Sequence, residues 1–272
     1  MCRMAAYIGN RRISLSSLVL EPAHSLLAQS YAPKEMRSGV VNADGFGTGW
    51  YAPEVDGEPA VYRSVRPIWA DRSFASIAPR VLSPAVFAAV RSATPGLPAE
   101  ESGVPPFSSG RYMFMHNGAV EDFRRSAMRR LRDTLSDESY AGLLGVSDSE
   151  TIFACLLDRL RRRPENPGGA LEATVAHLLR TCAELGVEAT LNLGLTDGQT
   201  MAFVRCSTGG LGNSLYFLKD GGAFRGGVVV ASEPLDGDPG WQEVPDRHLL
   251  SVDRSGEAAL RMLDLSVPEG LS

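Results

Sequence analysis

The sequence predicts an α+β protein built in stacked layers, and three observations point to it. The first half carries short apolar runs bounded by Gly, Pro and Ser. The middle, roughly 121–186, has apolar residues at helical spacing. The last third returns to strands joined by Asp-Gly turns. Strands, a block of helices and strands again must cover two sets of apolar faces, which stacked layers achieve.

In chain order, "MAAYIG" (4–9) and "AVFAAVRSA" (85–93) read as buried strands. Between them, "NADGFGTGWY" (42–51) has glycines at 45, 47 and 49 that could suggest a nucleotide loop. No helix follows them and Trp50-Tyr51 continue as a strand, so the dinucleotide fingerprint fails. The stretch is expected to be a close-packed strand and turn lining a pocket. "ATPGLPAEESGVPP" (93–106) reads as a surface loop, and "YMFMHNG" (112–118) as a strand running into a turn. A helix is expected over 121–135. Another begins at "SDSE", where Ser147 and Glu150 form a capping box ahead of Ile152, Phe153, Leu156, Leu157 and Leu160. A third covers 169–186, with His177 as a core or surface histidine. Asp197-Gly198 and Asp220-Gly221 each mark a hairpin. No repeat, low-complexity tract or linker divides the chain, so residues 2–272 are expected to form a single domain.

Composition narrows the function classes. Net charge is −5, from 27 basic and 32 acidic residues, with no long basic block, which argues against nucleic acid as a partner. The run from Arg159 to Arg163 suits the solvated C-terminal end of a helix. No secretory signal or membrane-length apolar stretch is visible, so no membrane partner is expected. The cysteines at 2, 155, 182 and 206 lack CxxC spacing, and free thiols in a reducing cytoplasm are expected. The histidines at 24, 116, 177 and 248 are scattered, which predicts no metal site.

Four stretches carry chemistry-bearing residues. Cys2 lies directly behind Met1. "RSATPG" places Arg91 and Thr94 at a strand end, "MHNG" places His116, Asn117 and Gly118 at another, and "SDSE" places Asp148 at a helix start. Singly, each has a plain explanation: an incidental cysteine, a surface charge, a common turn, an acid favoured by the helix dipole. Together, in this order, they resemble the class II glutamine amidotransferases, a family of N-terminal nucleophile hydrolases. The resemblance implies a four-layer αββα sandwich and no cofactor. It also implies Cys2, Asn117 and Gly118 as catalytic residues, with Arg91, Thr94, His116 and Asp148 binding a small-molecule γ-glutamyl substrate.

The chemistry fits those residue types. With Met1 removed, Cys2 carries a thiol of pKa near 8.5 and an α-amine near 8, so the amine can take the thiol proton. Asn117 and Gly118 can donate N–H groups to a tetrahedral oxyanion. Arg91 offers a planar fork for an α-carboxylate, Thr94 a hydroxyl beside it, and Asp148 a negative charge for an α-ammonium. Some family members have His after R-x-A-T where this chain has Pro95, so a carboxylate contact there is not carried over.

"MCR", "SSLVLEPAHSLLAQSY", "VNADGFGTGWY", "VRSATPG", "FMHNG" and "ASEPLDGDPGWQEVP" are similar to one narrower group, the amidohydrolases that remove glutamate from γ-glutamyl hercynylcysteine S-oxide in the ergothioneine pathway. The alternatives are a glutaminase subunit feeding ammonia to a partner synthetase, a γ-glutamyl peptidase, and a binding module without activity. A protein partner stays open: the chain ends without a synthase domain, so any ammonia made would pass to a separate protein. The expected leaving group carries a trimethylammonium cation, and at least one of Tyr31, Phe46, Trp50 and Trp69 is expected beside the pocket to receive it.

Overall fold

The computed structural model describes residues 2–36, 39, 41–92, 100–210 and 212–265. In chain order the strands and helices are β1 (Arg3–Ser14), α1 (Leu15–Val19), α2 (Leu26–Tyr31), β2 (Phe46–Tyr51), β3 (Pro59–Ser64), α3 (Arg72–Ile77), β4 (Leu82–Val90), β5 (Phe107–Ser109) and β6 (Tyr112–Val120). There follow α4 (Met128–Arg132), α5 (Asp137–Ala141), α6 (Asp148–Arg162), α7 (Pro167–Leu185), β7 (Ala189–Thr196), β8 (Thr200–Ser207), β9 (Tyr216–Lys219), β10 (Gly227–Ala231), β11 (Gln242–Glu243), β12 (His248–Asp253) and β13 (Ala258–Met262).

The strands form two antiparallel sheets, ordered β11-β9-β10-β1-β4-β2-β3 and β13-β12-β8-β7-β6-β5. Strand parity stacks them. On β1, Met4, Ala6 and Ile8 face inward with Phe87, Ala89, Val228 and Val230, against Met113, Met115, Met201 and Phe203 of the second sheet. The alternate residues Ala5 and Tyr7 face outward onto Leu15, Leu18 and Val19 of α1, Leu26 of α2 and Phe74 of α3. On the far side, Phe114 and Leu193 of the second sheet meet Ile152, Leu156 and Leu160 of α6 and Leu171, Val175 and Leu178 of α7. Four layers result, αββα, as the resemblance implied. Both faces of the central strands are covered, which is why "MAAYI", "AVFAAV" and "GVVVA" read as unbroken apolar runs.

Local chemistry sets the element ends. Ser147 caps α6, its Oγ accepting the Glu150 N–H at 3.2 Å and donating to Glu150 Oε2 at 2.9 Å. The helix expected over 121–135 shrinks to α4, because Asp122 takes a left-handed φ of 42° and the chain turns repeatedly before Met128. The surface loop expected over 93–106 is partly buried: Val104, Pro105 and Pro106 pack inside, whereas 93–99 lie outside the described residues. The glycines of β2 admit this segment. A methyl at Gly47 would stand 2.3 Å from Pro105 O, and one at Gly49 2.2 Å from Met113 Sδ. The Asp220-Gly221 connection widens to a loop holding a helical turn at Gly222–Phe224. Among the described residues no helix is long and apolar enough to cross a membrane.

Candidate active site

The antiparallel order of the first sheet brings the start of β1, the end of β4, the start of β2 and the end of β10 to one edge. Arg3 pairs with Val90, so Cys2 and Arg91 continue as neighbours past the strand ends. Cys2 is half-buried, its Sγ 3.9 Å from the Ser92 carbonyl oxygen. Burial pushes its thiol up. The Ser92 backbone contact, the terminal ammonium and the Arg91 guanidinium oppose that rise, while Asp148 adds to it. Two predicted substrate ligands, Arg91 and Asp148, are therefore within electrostatic reach of the thiol. A thiol raised by burial needs a base to take its proton before the sulfur can attack.

Arg91 is buried and its backbone is locked into the start of β2: its N–H donates to Gly45 O at 2.8 Å and its carbonyl accepts from Asp44 N at 3.1 Å. The turn and strand expected over 42–51 are present, and the turn sits beside Arg91. Gly103 leaves room for the guanidinium, a methyl there lying 3.1 Å from Nη2.

The second sheet supplies His116, Asn117 and Gly118 from β6. Asn117 is fully buried and its amide orientation is fixed. Its Nδ2 donates to Ser232 Oγ at 3.3 Å, and its Oδ1 accepts from Asn213 Nδ2 at 3.2 Å. Ser232 Oγ also accepts the Met4 N–H at 3.0 Å, which ties Asn117 to the strand that begins behind Cys2. Amide nitrogen has two hydrogens, so one remains for a ligand. Gly118 has no room for a side chain: a methyl would stand 1.8 Å from the Thr190 carbonyl oxygen and 2.6 Å from His116 Nε2. His116 is engaged on both ring nitrogens, Nδ1 3.0 Å from Ser149 Oγ and Nε2 3.2 Å from Thr190 O. It joins β6 to the head of α6 and to β7.

Asp148 opens α6. Its Oδ2 accepts from Val120 N at 3.0 Å and its Oδ1 from Ser149 N at 2.7 Å, which aims the carboxylate back toward the end of β6. Thr94 lies outside the described residues. Ser232, Asn213, Ser149 and Thr190 were not singled out from sequence. Ser232 sits in the quoted "ASEP" stretch, but nothing in "LGNS" distinguishes Asn213.

Of the four aromatics expected near the leaving group, Phe46 packs in the outer core with Tyr62 and Phe74, and Trp50 packs against that same core. Helical cover on that face claims both. Tyr31 and Trp69 remain exposed, 54% and 45%, as an edge-to-face pair with ring centroids 6.1 Å apart.

The chain is similar to known proteins over most of its length. The family model described as glutamine amidotransferases class-II matches residues 22–219. A gamma-glutamyl-hercynylcysteine sulfoxide hydrolase of Mycolicibacterium smegmatis is 39% identical over 252 residues, covering 93% of this chain and 96% of that protein. A glutamine aminotransferase class-II domain protein from Silicibacter pomeroyi superposes with a TM-score of 0.70 at 28% identity, covering 97% of this chain and 100% of the other. The glutamine phosphoribosylpyrophosphate amidotransferase of B. subtilis shares the fold at a TM-score of 0.64 and 14% identity, covering 97% of this chain and 49% of its own.

Proposed function

The chain belongs to the class II glutamine amidotransferases, and from that premise we propose that it hydrolyses the γ-glutamyl amide of γ-glutamyl-hercynylcysteine sulfoxide, releasing glutamate and hercynylcysteine sulfoxide. The observation that carries the reading is the 39% identity, over 93% of this chain, with the Mycolicibacterium smegmatis hydrolase, joined to a site in which Cys2, Arg91 and Asp148 share one electrostatic environment.

Each step has a residue suited to it. With Met1 removed, the α-amine of Cys2 takes the thiol proton, directly or through a water, and the thiolate attacks the γ-carbonyl carbon. The second Asn117 Nδ2 hydrogen and the Gly118 N–H stabilise the oxyanion. Collapse expels the amine, which receives the proton from the α-ammonium of Cys2 and leaves a thioester. Water, activated by the same amine, then attacks the thioester and releases glutamate. Arg91 and Thr94 hold the α-carboxylate and Asp148 the α-ammonium. His116, with both nitrogens occupied, keeps the Gly118 backbone and the head of α6 in register. The reading treats residues 2–272 as one domain. It places the enzyme in the cytoplasm, supported by the buried free thiols of Cys155, Cys182 and Cys206.

The test is purified protein offered γ-glutamyl-hercynylcysteine sulfoxide, glutamine and glutathione in one pot, with intact mass recorded. Glutamate release mainly from the hercynyl substrate, from protein lacking one methionine and absent in Cys2→Ala, supports the reading. A preference for glutamine transfers it to an ammonia-supplying subunit. Full activity in Cys2→Ala removes the mechanism.

A further inference from the structure

Two stretches that marked the narrower resemblance, "MCR" and "ASEP", meet in the structure although the mechanism above uses neither Arg3 nor Glu233. Both side chains are enclosed, with Arg3 0% and Glu233 1% exposed, and Arg3 Nε lies 3.4 Å from Glu233 Oε1. Glu233 also gathers its surroundings. Its Oε2 is 2.6 Å from His24 Nε2 and accepts from Lys34 N at 2.8 Å, and its Oε1 accepts from Glu35 N at 3.1 Å. Gln29 Nε2 donates to the carbonyl oxygens of His24 and Glu233. Burial alone would raise the Glu233 carboxyl. The His24, Lys34 and Glu35 bonds and the Arg3 charge outweigh it and hold the group below the usual range, so an ionised carboxylate faces Arg3.

Arg3 is poorly served by comparison. Among the described residues none of its three guanidinium nitrogens has a hydrogen-bond partner, and Glu233 meets it as an ion pair alone. A buried cation so lightly paired is a poor way to stabilise a fold, since apolar groups of similar volume usually do as well or better. Its position supplies another use. Met4, Ala6 and Ile8 face the second sheet, while Arg3, Ala5 and Tyr7 take the opposite parity toward α1 and α2. With Arg3 on the outer face, alternation along the chain gives Cys2, the residue before β1, the parity of Met4, whose N–H bonds Ser232 Oγ.

We propose that Arg3, held by Glu233, is the positioning residue for the nucleophile: the buried pair fixes the first residues of β1 so that the Cys2 thiol is presented to the Asn117–Gly118 donors, and it ties that strand to the 34–35 segment. This rests on the reading of Cys2 as nucleophile. A strand end that frays cannot hold a reacting atom to a fraction of an ångström; a buried ion pair one residue along restrains what the terminus leaves loose.

The test compares wild type with Arg3→Met/Glu233→Gln, Arg3→Lys and Glu233→Gln. It reads kcat and KM on a γ-glutamyl amide, melting temperature, and the rate of Cys2 alkylation by iodoacetamide. The double variant removes both charges together and is expected to melt within a few degrees of wild type. Its kcat is expected to fall about 100-fold with KM nearly unchanged, the size of loss a misplacement of about 1 Å produces. Arg3→Lys, which keeps the charge, recovers a substantial part of that loss. Wild-type kcat and alkylation rate in the double variant overturn the proposal. If the double variant does not fold, Glu233→Gln decides: a kcat loss above roughly tenfold at constant KM supports positioning, and unchanged kcat overturns it. If wild type cleaves no γ-glutamyl amide, the functional reading fails by itself, and alkylation rates still test the placement of Cys2.

Discussion

Asn117 and Ser232, from opposite sheets, meet at 3.3 Å, and the same Ser232 hydroxyl takes the N–H of Met4 at 3.0 Å. One buried oxygen thus sets the distance between the proposed oxyanion donor and the strand of the nucleophile. Asn117→Ala is expected to lower kcat by about 100- to 1000-fold with a much smaller change in KM, because the donor acts chiefly in the transition state. Steady-state kinetics on the γ-glutamyl substrate check this. An effect confined to KM would make Asn117 a binding residue only.

Arg91 and Asp148 both act on the Cys2 thiol electrostatically, with opposite sign, and the proposed function assigns them to the two charged ends of a glutamyl group. Arg91→Ala and Asp148→Ala should each reduce kcat/KM by about 30- to several-thousand-fold, corresponding to roughly 2–5 kcal/mol for an unpaired buried charge. Asp148→Asn separates the charge from the Val120 hydrogen bond, since it can keep the latter. Retained kcat/KM in both alanine variants would remove the glutamyl assignment.

Gly118 allows no side chain. Gly118→Ala drives a methyl into the backbone oxygen of Thr190, at 1.8 Å, where no rotamer can relieve it. β6 and β7 must move apart at that point. A loss of roughly 2–4 kcal/mol is expected, seen as a melting temperature lower by about 5–15 °C, together with loss of activity. A variant that melts like wild type would show that β7 yields freely.

Of the four aromatics expected near the leaving group, Tyr31 and Trp69 alone stay exposed, so the proposed trimethylammonium contact is assigned to that pair. Alanine at either position should raise KM for the hercynyl substrate about 2- to 30-fold, the range for a lost cation–π contact. KM for γ-glutamyl compounds without the cation should stay put, which separates recognition from general damage.

His177 on α7 has its pKa lowered to about 4, by burial first and then by Arg159 and Arg180. Its unfolded value lies near 6.5, so between these limits the unfolded chain binds the extra proton and stability falls as pH falls. Melting temperature should therefore decline on acidification from about 6.5 toward 4. His177→Gln should flatten part of that decline; an identical pH profile in the variant would assign it to other groups.

Much of this was legible in the sequence. The strands of β1, β4 and β6 and the capped start of α6 announce themselves through apolar runs, turn residues and S-x-x-E. Cys2, Arg91, Asn117, Gly118 and Asp148 stand out as candidates only through their joint order, since each alone reads as a common surface or turn residue. What escaped has physical causes. The helices α1, α2 and α3 span five or six residues, too short for a helical period to register. Asp122 broke the helix expected from 121 by a backbone angle that its residue type only permits. Asn213, Ser232 and Glu233 act across long sequence separations, and no local pattern encodes a partner two hundred residues away.

The pairing of β1 with β10 also sets an order of events during synthesis. Arg3 leaves the ribosome more than two hundred residues ahead of Gly227–Ala231, which flank β1. At about 5–20 residues per second, roughly 10–50 s separate the two. Through that interval the nascent amino terminus has neither β10 nor Ser232 to dock against. An aminopeptidase can reach the residue ahead of Cys2 during that interval, so the removal of Met1 that the proposed mechanism needs can precede the docking of β10 against β1.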